Sequence, residues 1–239
     1  MKIMLDIILL LIVAMCIWDG YKRGLIGGIL GILVIIVALL GGNYLASGYA
    51  GTAVPVLEPF VDGYIDSQNT RDLVLEEMGY SSTDLSLEDV LESDGSLRYD
   101  YAVICMEGAG FQEQRAEELA ETSVQYSNQN DVDMTQAVIA VLCDTICYVA
   151  GFALCFLLIL ILLSAISNIG YMAFRLPDNM QLLDELGGAL LGFVKAFLYC
   201  ILLCWLLSFL GLIIGKETLE GTLLGRFFLT FRFLTRGLI

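Results

Sequence analysis

Residues 186–215 form a hydrocarbon run broken by a single charge, Lys195. About 20 apolar residues, rising 1.5 Å each along a helix, cross the core of a bilayer. Comparable runs occupy residues 3–18, 25–46 and the second half of 135–172. Only 16% of the 239 residues are charged and 58% are hydrophobic. Soluble domains carry about a quarter charged residues. With a mean hydropathy of +0.78, the chain belongs with membrane proteins, and the lipid bilayer is its first partner.

The expected fold is an all-α membrane protein built on a four-helix transmembrane bundle. Spans 3–18 and 25–46 are joined by DGYKRG and so form an antiparallel hairpin over residues 1–46. A secretory signal is the competing reading of 3–18, because Lys2 precedes an apolar run. No small-x-small cleavage site follows it, and the residues before Cys16 make a poor lipoprotein box. The membrane region resumes at 134–215, with an amphipathic lead-in, a third span at about 146–169 and a fourth at about 186–215. Residues 216–239 mix four bases with four phenylalanines. That composition suits a helix lying in the interface.

The net charge of −15 is local. Residues 47–133 hold 19 acidic against 3 basic side chains, and the remainder is nearly neutral. This acidic extramembrane segment reads as mostly helical, including the stretch YAVICMEGAGFQEQRAEELAETSV, and as solvated. So negative a segment repels nucleic acid and anionic headgroups. The chain has no histidine, HExxH, GxSxG or phosphate-binding loop, so the reading is not an enzyme and calls for no cofactor and no metal.

Small residues recur every four positions, a spacing that puts them on one helix ridge. One ridge is Gly188, Gly192, Ala196, Cys200, Cys204, Ser208. A second is Cys143, Cys147, Gly151, Cys155, and a third contains Gly24 and Gly28. Lipid supplies no hydrophobic force between helices, and small-xxx-small ridges permit the close backbone approach that replaces it. The cysteines are then small, soft seam residues. Redox or metal chemistry at Cys143/Cys147 or Cys200/Cys204 is the competing reading.

The candidate functional charges are Asp6, Asp19, Lys22, Arg23, Asp144 and Lys195. With spans alternating in direction, Asp6 and Asp144 lie near one membrane face. Lys195 enters from the other, close to DGYKRG, so its expected partner is Asp19. Lys195 either snorkels to the headgroups or lines a polar path. Bases near the membrane ends number five inside if the acidic segment is cytoplasmic and three if DGYKRG is. With the tail lying in the interface, the acidic segment is placed outside.

LDIILLLIVAMCIWDGYKRGLIGGILGILVIIVALLGGNYLA resembles the opening hairpin of the colicin V production (CvpA) family of bacterial inner-membrane proteins. Asp6, Gly20, Lys22, Arg23 and Gly24 fill its pattern. FRLPDNMQLLDELGGALLGFVKAFLYCILL is similar to a second family run at Leu176, Pro177, Gly188, Gly192 and Lys195. Asp184 and Glu185 stand where that family carries Asn-Arg, and Ala196 where it carries glycine. The resemblance covers roughly residues 1–60 and 131–215. It implies a multi-pass inner-membrane protein with an accessory role in toxin production, secretion or envelope maintenance. The alternative is a subunit of an oligomeric channel or transporter with Lys195 on its path. Either reading admits a homo-oligomer and a membrane or secretion partner protein.

Overall fold

In a computed structural model of the chain, the described residues are 2–65, 97–171, 180–209 and 222–230, with positions 76, 78, 79, 91 and 95. Six helices account for most of them: α1 (Lys2–Ile65), α2 (Leu97–Gly108), α3 (Glu113–Asn130), α4 (Met134–Tyr171), α5 (Gln181–Leu207) and α6 (Leu223–Leu229). Among the described residues there is no strand. Three of these helices, α1, α4 and α5, are long and apolar enough to cross a membrane. The chain divides into two compact units.

The first unit comprises residues 1–47, 150–207 and 217–239. Within α1 the helical geometry breaks at one residue, Gly24, at φ 71° and ψ −174°. Only glycine takes that conformation without strain. The chain reverses there, as its contacts with α5 show. Before the break, Leu9, Cys16 and Gly20 meet Cys200, Gly192 and Gly188. After it, Leu25, Gly28 and Gly31 meet Gly187, Leu191 and Lys195. The first arm therefore runs antiparallel to α5 and the second parallel to it. The second arm then packs on α4. A Cβ on Gly42 would lie 3.3 Å from the Cα of Phe156, and one on Gly151 3.9 Å from the Cα of Ala46. Ala38, Gly42 and Ala46 form the ridge behind this contact, and all three are buried.

The outward faces of the same helices carry large apolar side chains, among them Ile3, Leu10, Leu154 and Leu190. A protein in water rarely exposes so much continuous hydrocarbon; a bilayer accommodates it.

Two boundaries differ from the expectation. The second arm does not stop at Ala46 but stays helical to Ile65, through Pro55 and Pro59. Each proline removes the N–H that would bond the carbonyl four residues earlier. The two lie on one face, so the other faces of the helix keep their bonds. At the other end, α5 begins at Gln181 and ends at Leu207. The remainder of the expected fourth span, 210–215, lies outside the described residues, as does the Leu176–Pro177 motif.

The tail was expected to lie in the interface. Its described part is the short α6, and Phe228 on it is buried against Leu5, Leu9, Cys200 and Cys204. Its ring packs edge-on to Phe197 at 5.3 Å. Phe227, beside it, is half exposed. Aromatic residues that read as headgroup anchors are thus divided between the core and the surface.

The second unit comprises residues 48–149 and 208–216. Val61 and Ile65 of α1, Tyr101, Cys105 and Met106 of α2, Ala116 and Leu119 of α3, and Met134, Val138 and Leu142 of α4 build its core. The buried positions of α3 (116, 119, 120, 123 and 127) form the apolar stripe of an amphipathic helix. The stretch YAVICMEGAGFQEQRAEELAETSV, which reads as helical, is a helical hairpin. Gly110 takes φ 93°, the Phe111 N–H donates to the Met106 carbonyl at 3.2 Å, and the Gly110 N–H donates to the Glu107 carbonyl at 2.9 Å. This six-to-one and five-to-two pair with a left-handed glycine is a Schellman stop. Phe111 and Met106 close it inside the core. Phe209 contributes from after α5, edge-on to Phe111 at 6.0 Å and under the Arg115 guanidinium at 5.1 Å.

Candidate functional site

Several polar groups of the first unit gather at the α1 turn and the facing start of α5. The reversal at Gly24 leaves the second arm with a bare N-terminus, whose first N–H groups have no partner within the helix. One of them, on Leu25, donates to Asp184 Oδ1 at 2.8 Å. Asp184 therefore caps a helix on which it does not reside, and its negative charge suits the positive end of that helix dipole. The carboxylate occupies the space where a Cβ on Gly24 would be. Beside it the Tyr21 hydroxyl donates to Glu185 Oε2 at 2.9 Å, and the Gln181 amide donates to Glu185 Oε1 at 2.9 Å. Asp184 and Glu185 are thus the pair that fastens the turn.

Asp19 accepts from Arg23 Nε at 2.7 Å and lies 3.4 Å from Lys195 Nζ. Lys195 thus meets the partner its depth implied. The Lys195 side chain is 19% exposed. Its stem lies along Gly31, and its ammonium is 5.8 Å from the centre of the Tyr199 ring. Lys22 sits over the Trp18 ring at 5.1 Å. Asp19, Lys22, Arg23 and Lys195 are therefore gathered at one end of the hairpin. Asp19 is shared between two cations, so this trio keeps one positive charge.

The other two candidate charges are not part of this cluster. Asp6 accepts a hydrogen bond from the Leu224 N–H at 3.1 Å and ties the tail helix to the first arm. Asp144 is an exposed residue of α4 in the second unit.

The ridges meet different fates. Gly188, Gly192, Ala196, Cys200 and Cys204 are all buried. A Cβ on Gly20 would overlap the Gly188 carbonyl oxygen and lie 2.8 Å from the Gly192 Cα; one on Gly192 would overlap the Cys16 carbonyl oxygen. The Cys200 thiol points to the Leu9 carbonyl at 3.9 Å. Gly24 and Gly28 face Asp184 and Leu191. Ser208, the last of that ridge, belongs to the second unit and is buried there. The α4 ridge is divided: Cys143 is in the core of the second unit, whereas Gly151 faces Ala46 in the first. Cys147 and Cys155 are half-buried, and all seven cysteines are free thiols.

Sequence reasoning missed three features: Asp184 as a cap in trans, Asp6 as an anchor for the tail, and the Ala38–Gly42–Ala46 ridge. The last was visible as a four-residue repeat. The first two depend on which helix ends lie side by side, which no local pattern encodes. Comparison of the chain with protein-family models, with curated proteins and with solved structures returns no match.

Proposed function

We propose that the chain is a multi-pass membrane protein of the colicin V production type, acting as an accessory to secretion or envelope maintenance. In this reading the two arms of α1, together with α4 and α5, make four crossings of the bacterial inner membrane. The acidic unit is the part that meets a partner protein. One observation carries the proposal: the polar and small residues of the membrane unit are engaged with one another. Lys195 is paired with Asp19, which also holds Arg23, and the glycine ridge is buried against α1. Such an arrangement fits a scaffold better than a path for solute.

Deletion of the gene in its own cell, with secreted peptide toxin and detergent sensitivity as readouts, tests the reading. Secretion is expected to fall or sensitivity to rise. The native chain restores the phenotype and Gly192→Leu does not. A deletion that changes neither readout removes the proposal. Solute flux in reconstituted vesicles that disappears with Lys195→Met supports the transporter reading instead.

A further inference from the structure

One cleft in the second unit is lined by charges of both signs that form no ion pair among the described residues. It has a volume of about 340 Å³ and lies between the first turn of α2 and the α3–α4 turn, with Arg98, Asn128, Asp131, Asp133 and Thr135 among its walls. The turn is tightly held. The N–H groups of Asp131 and Val132 both donate to the Ser127 carbonyl, and the Ser127 hydroxyl donates to the Val132 carbonyl at 2.7 Å. Asp131 takes the left-handed conformation, φ 54° and ψ 45°, a strain that a non-glycine residue accepts only where its surroundings fix it.

Arg98 is half-buried, and its Nε donates to the Leu91 carbonyl at 3.5 Å. Its two terminal nitrogens make no hydrogen bond or ion pair among the described residues. Asp131 and Asp133 line the same cleft and form no ion pair among the described residues. A guanidinium fork matches a carboxylate in two-pronged geometry, and a pair of carboxylates matches an ammonium. The volume is at the small end of the range for ligand clefts, about 300–1,000 Å³.

We infer that this cleft binds a small zwitterion, a free amino acid or a short peptide, with the ligand carboxylate on Arg98 and the ligand ammonium on Asp131 and Asp133. The site is independent of the membrane reading above, since every group in it belongs to the second unit.

Calorimetric titration of the full-length chain in detergent tests it with L-alanine, L-alanyl-L-alanine, the N-acetylated dipeptide and the dipeptide amide. The two zwitterions distinguish an amino acid from a peptide as the ligand class. At least one of them binds, and each blocked dipeptide binds about tenfold weaker or worse than the free dipeptide, the loss of one charge-assisted contact. Arg98→Gln lowers zwitterion affinity by a similar factor while barely affecting the amide. Asp133→Asn does the same while barely affecting the acetylated form. Should Arg98→Gln fail to fold, Asp133→Asn and the blocked dipeptides on the native chain decide the matter. No binding of either zwitterion, or blocked dipeptides that bind as tightly as the free one, overturns the inference.

Discussion

At Gly24 three requirements meet in one residue: a left-handed backbone, contact with Gly188 and room for the Asp184 carboxylate. Gly24→Ala forces a side chain into that conformation, at about 1–3 kcal/mol, and displaces the cap. Asp184→Leu is expected to cost about 0.5–2 kcal/mol, the range for losing a helix N-cap. Asp184→Asn keeps an acceptor and costs less. Reversible denaturation in mixed micelles measures all three. A Gly24→Ala protein as stable as the native chain contradicts the turn geometry. Lys195 and Asp19 make a second residue-scale test. Lys195→Met leaves Asp19 with Arg23 alone, so adding Asp19→Asn to Lys195→Met is expected to cost less than the two single changes combined. The coupling is about 1 kcal/mol. Strict additivity in the same assay means that the 3.4 Å pair contributes nothing. In the second unit, burial pushes the Cys105 thiol up to about 11, against a smaller opposing effect from Tyr101. A thiol ionises only near its pKa, so Cys105 stays protonated at neutral pH. Alkylation mapped by mass spectrometry is expected to miss Cys105 in the folded chain and to reach it after denaturation.

At the scale of elements, seams decide which helices touch. The Gly188–Cys204 ridge was legible because a helix repeats every 3.6 residues and the chain keeps one face small. The structure adds what that ridge touches: the first arm of α1, backbone against backbone at Gly20, Gly188 and Gly192. Gly192→Leu is therefore expected to prevent correct folding of the hairpin on α5, whereas Leu191→Ile, which conserves volume beside Gly28, costs less than about 1.5 kcal/mol. Equal and mild effects of the two in the same denaturation assay contradict the seam. Asp184 escaped sequence reading for a physical reason. A cap is normally sought next to the helix it serves, and here the acceptor is 159 positions away in the chain. The α2–α3 stop was missed for a different reason. Gly108-Ala109-Gly110 lies inside a stretch of good helix formers, and only the positive φ of Gly110 marks the end.

For the molecule as a whole, the chain divides into two compact units, and the second, residues 48–149 and 208–216, has a core of its own. That core was not legible, because its apolar residues are spread sparsely over four helices and only the turns between them bring those faces together. The membrane unit depends on one claim: small residues bring the backbones of α1 and α5 into direct contact. Solid-state NMR of the full chain in lipid bilayers, with glycine Cα atoms labelled with carbon-13, tests this directly. The account predicts a cross-peak linking Gly20 with Gly192, and it places both outside contact with acyl chains. Absence of that cross-peak, with Gly188 and Gly192 instead correlated to lipid methylenes, contradicts it.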